Sequence, residues 1–171
     1  DVYKRQVNAE QSMQSASVIK AFIMAAVYDK LIYPDEGTTV SSDYESTLKP
    51  LLTSMITVSD NESCNELVKL QTDSLDFKKG AEDINKYLEK EGYTETSVQH
   101  TLHPAASAQE SLGGRNMTSV KDCGTLLEKI YKGECVSKEA SEEMLNLLSN
   151  QENTWKIPQG LSLIHISEPT R

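Results

Sequence analysis

Ser17 and Lys20 stand three residues apart in Ser17-Val18-Ile19-Lys20. On a helix that spacing puts both side chains on one face, one turn apart. A lysine amine can then approach a serine hydroxyl. Burial disfavours the ammonium, lowers the lysine pKa and frees the neutral amine to act as a base. A hydroxyl beside such a base is an activated nucleophile. Ser17 also opens an apolar run, so it is expected in a first helical turn. There, free backbone N–H groups and the helix dipole stabilise an oxyanion. The spacing alone carries little weight. With 19 Ser and 14 Lys in 171 residues, random order gives roughly 1.6 such pairs. A second pair exists, Ser46-Thr47-Leu48-Lys49, in a polar stretch before Pro50. Only the first sits where its lysine would be desolvated. The plain alternative makes Ser17 a helix cap and Lys20 a chain that snorkels to water.

The trio Ser59-Asp60-Asn61 is rarer, with a chance expectation of roughly 0.05. It falls at a break between two apolar segments, where Ser and Asn can point out of a turn. Its plain reading is that Ser59 or Asp60 caps the following helix. S-x-x-K followed by S-D-N, with K-T-G after it, is the catalytic set of class A β-lactamases and penicillin-binding proteins. The stretch 55–67 (MITVSDNESCNEL), with its further Asn65, resembles the class A motif closely. The segments 118–134 (TSVKDCGTLLEKIYKGE) and 144–160 (MLNLLSNQENTWKIPQG) resemble the serine hydrolases grouped with class A β-lactamases. The resemblance covers most of 7–160.

That resemblance implies an acyl-serine mechanism. Ser17 would be the nucleophile and Lys20 would take part in activating it. Ser59 would relay a proton to the leaving nitrogen. Asn61 would hydrogen-bond the substrate's side-chain amide, and Asn65 would help hold the loop that positions deacylation. Backbone N–H groups, one from Ser17, would hold the oxyanion. The expected substrate is a small acyl compound, a β-lactam first. No cofactor is implied, the protein is expected to be a monomer, and export from the cytoplasm follows from the family.

The sequence departs from the family pattern in three places. K-T-G is missing; the chain reaches Leu161–Arg171 (LSLIHISEPTR) where that strand would begin. This end and the opening DVYKRQ resemble translated sequencing-adapter tails, so residues 1–6 and 161–171 are expected to be non-native and the domain, 7–160, incomplete at both ends. A chain without the strand wall is expected to be poorly active. Second, the class A deacylation loop has the form E-x-x-L-N. Here Gln109-Glu110-Ser111-Leu112-Gly113 has a Glu, with Leu two places later and no Asn. Glu110 is a weak deacylation candidate, more simply a solvated loop carboxylate. Third, the connection from Ser17 to Ser59 is short for the family, which would open one side of the cleft.

Other features are plainer. His100 and His103 are too few ligands for a metal site, so none is expected. Cys64 is expected to be a small buried packing residue. The charges from Asp76 to Lys86 are expected on a solvated helix face. Three cysteines without CxxC give no disulfide framework. A net charge of −9 disfavours nucleic acid and anionic membranes as partners. The longest apolar run, Ala21 to Tyr28, is far shorter than the roughly twenty residues of a bilayer span.

The helical period dominates the elements that must hold these residues. Helices are expected over Ser17 to Leu31, from Leu48 to Thr57, from Asn61 to Leu70, from Phe77 to Lys90, after a Thr118 cap and after a Ser137 cap. Tyr33 to Gly37 is expected to turn, residues 97–117 to form a loop, and Val7 to Met13 and the two ends to form strands. The fold expected is therefore mainly α: the helical subdomain of the two-part α/β penicillin-binding and β-lactamase fold, with most of the sheet missing. Three functions are kept. They are a β-lactam hydrolase, a slowly deacylating penicillin-binding or esterase-like enzyme, and a non-catalytic helical interaction module.

Overall fold

The computed structural model describes residues 8–34, 40–102 and 110–152. Its element order is β1 (Met13–Gln14), α1 (Ile19–Val27), α2 (Lys49–Thr57), α3 (Asn61–Lys69), α4 (Phe77–Lys90), β2 (Met117–Thr118), α5 (Val120–Lys132) and α6 (Lys138–Ser149). Among the described residues the chain is mainly α, with one two-stranded antiparallel ribbon that pairs Met13 with Thr118 and Gln14 with Met117.

Helix α1 is the axis of the core. Its residues 19–27 are buried except Ala21, because the segment is apolar on nearly every side. It packs against α2, α3 and α4, while α5 packs on α6 and α6 on α2. Phe22 meets Tyr93 edge-to-face at 5.3 Å, an arrangement favoured by the ring quadrupoles. The single helix expected from Ser17 to Leu31 is built in three parts. A 3₁₀ turn at Ala16–Val18 precedes α1, and a wide π turn at Tyr28–Ile32 follows it. Tyr28 and Tyr44 both donate to Glu143 of α6, at 3.1 and 2.6 Å, which ties both π turns, 28–32 and 44–48, to that helix.

Helix starts follow local chemistry. Asp60, Asp76, Ser119 and Ser137 each accept a backbone N–H three residues on, the geometry of an N-cap. The fifth helix thus starts one residue later than expected. Thr118 is taken by the ribbon, and its hydroxyl lies 2.9 Å from that of Thr96. The strand expected over Val7 to Met13 is Met13–Gln14 instead, and its partner, Met117–Thr118, takes the last residue of the expected loop and the expected Thr118 cap. Among the described residues of that loop, single bridges join Ser97 to Met117 and His100 to Ser111. Gly80 lets α4 lie directly on α3. A Cβ there would stand 1.9 Å from the Val68 carbonyl oxygen. The expected turn 35–37, the expected terminal strands and both suspected tails lie outside the described residues.

Candidate active site

Lys20 is only 3% exposed, one turn into the helix that Ser17 opens. Its Nζ donates to the Ser59 carbonyl at 2.6 Å, to Asn61 Oδ1 at 2.8 Å and to Ser59 Oγ at 3.0 Å. Ser17 Oγ lies 3.5 Å away, at the outer limit of a hydrogen bond. Catalytic contacts are often this long before substrate binds. Burial pushes the Lys20 amine below its ordinary value, against the opposing pull of Cys64 and Asp60. Four acceptors surround a group with at most three protons. When Lys20 is neutral, its lone pair can accept the proton of a serine hydroxyl.

The break between α2 and α3 delivers Ser59 and Asn61 to this amine. Asp60 caps α3 by accepting the Ser63 N–H at 2.6 Å, and the Ser63 hydrogen bonds hold its carboxyl below the usual range. The capping interpretation of the trio is therefore true of its middle residue, while its neighbours turn to Lys20. Ser59 has φ of 61°, and Ala16, just before Ser17, has φ of 45°. Neither is glycine, so each conformation costs about 1–2 kcal/mol per residue. Of the five described non-glycine residues with positive φ, these two lie beside the same lysine, and Asn8, Leu75 and Val136 lie elsewhere.

Helix α3 carries one further candidate and touches the other. Asn65 is 5% exposed, and its Oδ1 accepts the Leu102 N–H at 2.8 Å, fastening the 97–102 segment to α3. Glu110 Oε1 lies 3.2 Å from the Nζ of Lys69, the last residue of α3. A cleft of about 290 Å³ opens beside Ser17, and Ser17, Lys20 and Ser59 are among its lining residues. Among its described lining residues, Glu110 does not occur.

The β-lactamase enzyme family matches residues 31–168. This chain belongs to that family. The match contains Ser59, Asp60, Asn61 and Asn65, begins after Lys20 and runs past Gly160. The fold agrees. The β-lactamase of Sphaerobacter thermophilus DSM 20745 aligns at a TM-score of 0.67 with 20% identity, over 86% of this chain and 59% of that one. An ancestral (GNCA) class A β-lactamase aligns at 0.63 with 20% identity, over 86% of this chain and 60% of that one. The chain thus spans about three-fifths of the length of these solved structures. It matches their helical part, with most of the sheet lacking. No curated protein matches the chain.

Within this β-lactamase-family chain, other sequence features have ordinary surroundings. Lys49 of the second S-x-x-K pair is paired with Glu45 at 2.9 Å, with half its side chain in water. His100 places Nδ1 2.6 Å from the Thr101 carbonyl, and His103 lies outside the described residues. Cys64 is 1% exposed, and burial pushes its thiol up to about 12. In the acidic-basic run of α4, Asp83 is not merely solvated; it pairs with Lys30 at 2.8 Å and Lys86 at 2.9 Å. No helix among the described residues is long and apolar enough to cross a membrane.

Three participants were not singled out by the sequence. Cys123 and Gln151 line the cleft, brought there by α5 and by the chain just after α6. Asn116 is buried and braces the loop that Asn65 holds. Its Oδ1 accepts the Gln99 N–H at 2.6 Å and the His100 N–H at 3.1 Å, and its Nδ2 donates to the His100 carbonyl at 3.0 Å. An Asn after a Gly-Gly-Arg turn looks like turn chemistry. Only the long-range pairing of residues 97–100 with 111–117 reveals this role.

Proposed function

We propose that this protein is a serine hydrolase working through an acyl-Ser17 intermediate, with β-lactam hydrolysis as its reaction. The observation that carries this reading is the placement of one buried amine against Ser17, Ser59 and Asn61. Neutral Lys20 takes the Ser17 proton as Oγ bonds to the carbonyl carbon of the substrate. The tetrahedral oxyanion collapses, the carbonyl-carbon–nitrogen bond breaks, and the leaving nitrogen receives a proton through Ser59. Asn61 is positioned to hydrogen-bond the amide of the substrate's side chain. Water then releases the acid and regenerates Ser17. Action outside the cytoplasm and a monomeric state complete the proposal.

A second reading concerns the last step. Glu110 is engaged with Lys69, so deacylation is slow and the protein behaves as a penicillin-binding or esterase-like enzyme. Intact-mass spectrometry with a penicillin and a cephalosporin separates the readings. One covalent adduct is expected on the full-length protein, strand wall included, and none on its Ser17→Ala variant. An adduct that decays within seconds supports the hydrolase, and one that lasts for hours supports the slow enzyme. Absence of any adduct with β-lactams or activated esters would leave the interaction module as the function.

A further inference from the structure

A second hollow, of about 500 Å³, lies between the 28–32 turn, the end of α3 and α4, and it shares no lining residue with the Ser17 cleft. Gln71, just past α3, lines it and is 3% exposed. Among the described residues its Nε2 has no hydrogen-bond partner. A buried amide donor without an acceptor is costly, and a bound acceptor relieves that cost. Lys30, Lys86, Asp29 and Asp83 line the same hollow. Both Asp83 oxygens are engaged, one with Lys30 at 2.8 Å and the other with Lys86 at 2.9 Å. Lys30 also donates to the Gln71 carbonyl at 2.5 Å. An ammonium has three protons, so among the described residues Lys30 and Lys86 both keep donors to spare. Two lysines against one aspartate leave this end positive, beside the idle Gln71 amide. Asp29 supplies the negative end. The charges that act on it most are Lys90 and Glu91, not the two lysines of the hollow. Burial outweighs Lys90 and raises the Asp29 pKa, so the fold leaves its carboxylate undercompensated.

We propose that this hollow binds a zwitterionic molecule of dipeptide length, with its carboxylate on Lys86, Lys30 and the Gln71 amide and its ammonium on Asp29. The length follows from the helix. Lys90, beside which Asp29 lies, follows Lys86 by four residues of α4, about 6 Å along the axis. The terminal charges of an extended dipeptide are separated by a similar roughly 6–7 Å. A single α-amino acid holds them roughly 3 Å apart and reaches only one end. The charge follows from the lining, where two lysines against two aspartates call for an occupant that is neutral overall. Between the ends, Ala26, Pro34 and Tyr87 offer surface for short side chains. The volume is ample for the about eleven heavy atoms of alanylalanine. Such a ligand brings both missing partners at once, an acceptor for Gln71 and a cation for Asp29. The site stands apart from the acyl-serine reading and does not depend on it.

The test is an NMR titration of the isotope-labelled full-length protein with L-alanyl-L-alanine. The Gln71 side-chain amide and the backbone amides around Lys86 are expected to shift, with saturation below roughly 10 mM. N-acetyl-alanylalanine, which lacks the ammonium, alanylalanine amide, which lacks the carboxylate, and free alanine are each expected to bind at least tenfold more weakly. Asp29→Asn is expected to weaken the free dipeptide at least tenfold and leave the acetylated one unchanged. Lys86→Gln, at an exposed position, is expected to weaken the free dipeptide and leave the amide unchanged. The capped ligands test the same charges on unaltered protein should either variant fold poorly. Ser17→Ala is expected to keep the wild-type affinity. A Gln71 amide that does not move, capped peptides or sodium acetate that bind as well as the free dipeptide, or binding lost in Ser17→Ala overturns the site.

Discussion

The chain carries the same four-residue spacing twice, with opposite outcomes. Lys20 is buried under three acceptors that come from 39 and 41 residues away in sequence. Lys49 is half-exposed, paired with Glu45 one turn back and near the Tyr44 ring at 5.6 Å. The local backbone differs, since Ser17 lies in a 3₁₀ turn and Ser46 in a π turn. The facing element differs as well. The α2–α3 break brings a carbonyl, a hydroxyl and an amide to Lys20, and only a surface carboxylate meets Lys49. The proposed nucleophile pair is thus marked out by what crosses over it, and burial under that crossing lowers the lysine pKa.

The comparison breaks if Lys49 matters as much as Lys20. Lys20→Ala is expected to slow Ser17 acylation by about 10²–10⁴, the range for general-base catalysis, while Lys49→Ala leaves the rate within about twofold. Rapid-mixing mass spectrometry on both variants decides it. Ser59→Ala is expected to cost roughly 10²-fold with amide-leaving substrates and clearly less with phenyl esters, whose leaving group needs no proton. Comparable losses with both substrates would argue against a proton relay.

The pH profile sharpens the same contrast. In the proposed mechanism the neutral Lys20 amine is the active form, and its folded pKa is lowered, so acylation should rise with pH through a value below 10.5. Between the folded and unfolded values the unfolded chain holds the extra proton, so Lys20's contribution to stability also rises with pH in that window. A rate that increases only at or above 10.5 would contradict the burial argument. Asp60→Ala removes the α3 cap at a cost of about 1 kcal/mol, which should lower Tm by about 2–4 °C. The smallest effect belongs to Lys49→Ala, whose i,i+4 pair is worth about 0.3–0.5 kcal/mol, a shift near the resolution of a melting curve.

Much of this was legible in the residues themselves. The α4 boundaries and the Ser137 cap follow from apolar periodicity and short-range capping, which use only neighbours in sequence. The meeting of Ser17, Lys20, Ser59 and Asn61 was foreshadowed by a rare trio placed between apolar helices. The β1–β2 ribbon was not legible, because two-residue strands carry no alternation and their pairing spans about a hundred residues. That pairing also displaced the α5 cap from Thr118 to Ser119. The left-handed backbone at Ala16 and Ser59 was hidden for a related reason. Alanine and serine give no local cue for positive φ, so the surrounding fold must impose it.

The close seating of α4 on α3 at Gly80 reaches further than packing. Helix α3 supplies both Asn61 and Asn65, so its position fixes the Lys20 cluster and the 97–102 loop together. One methyl group at residue 80 would meet the Val68 carbonyl at 1.9 Å and has no flexible side chain to push aside. The mutational target of the proposed site therefore includes a hydrogen atom on α4. In a library of random variants, substitutions at Gly80 should be depleted alongside those at Ser17, although residue 80 never approaches the substrate.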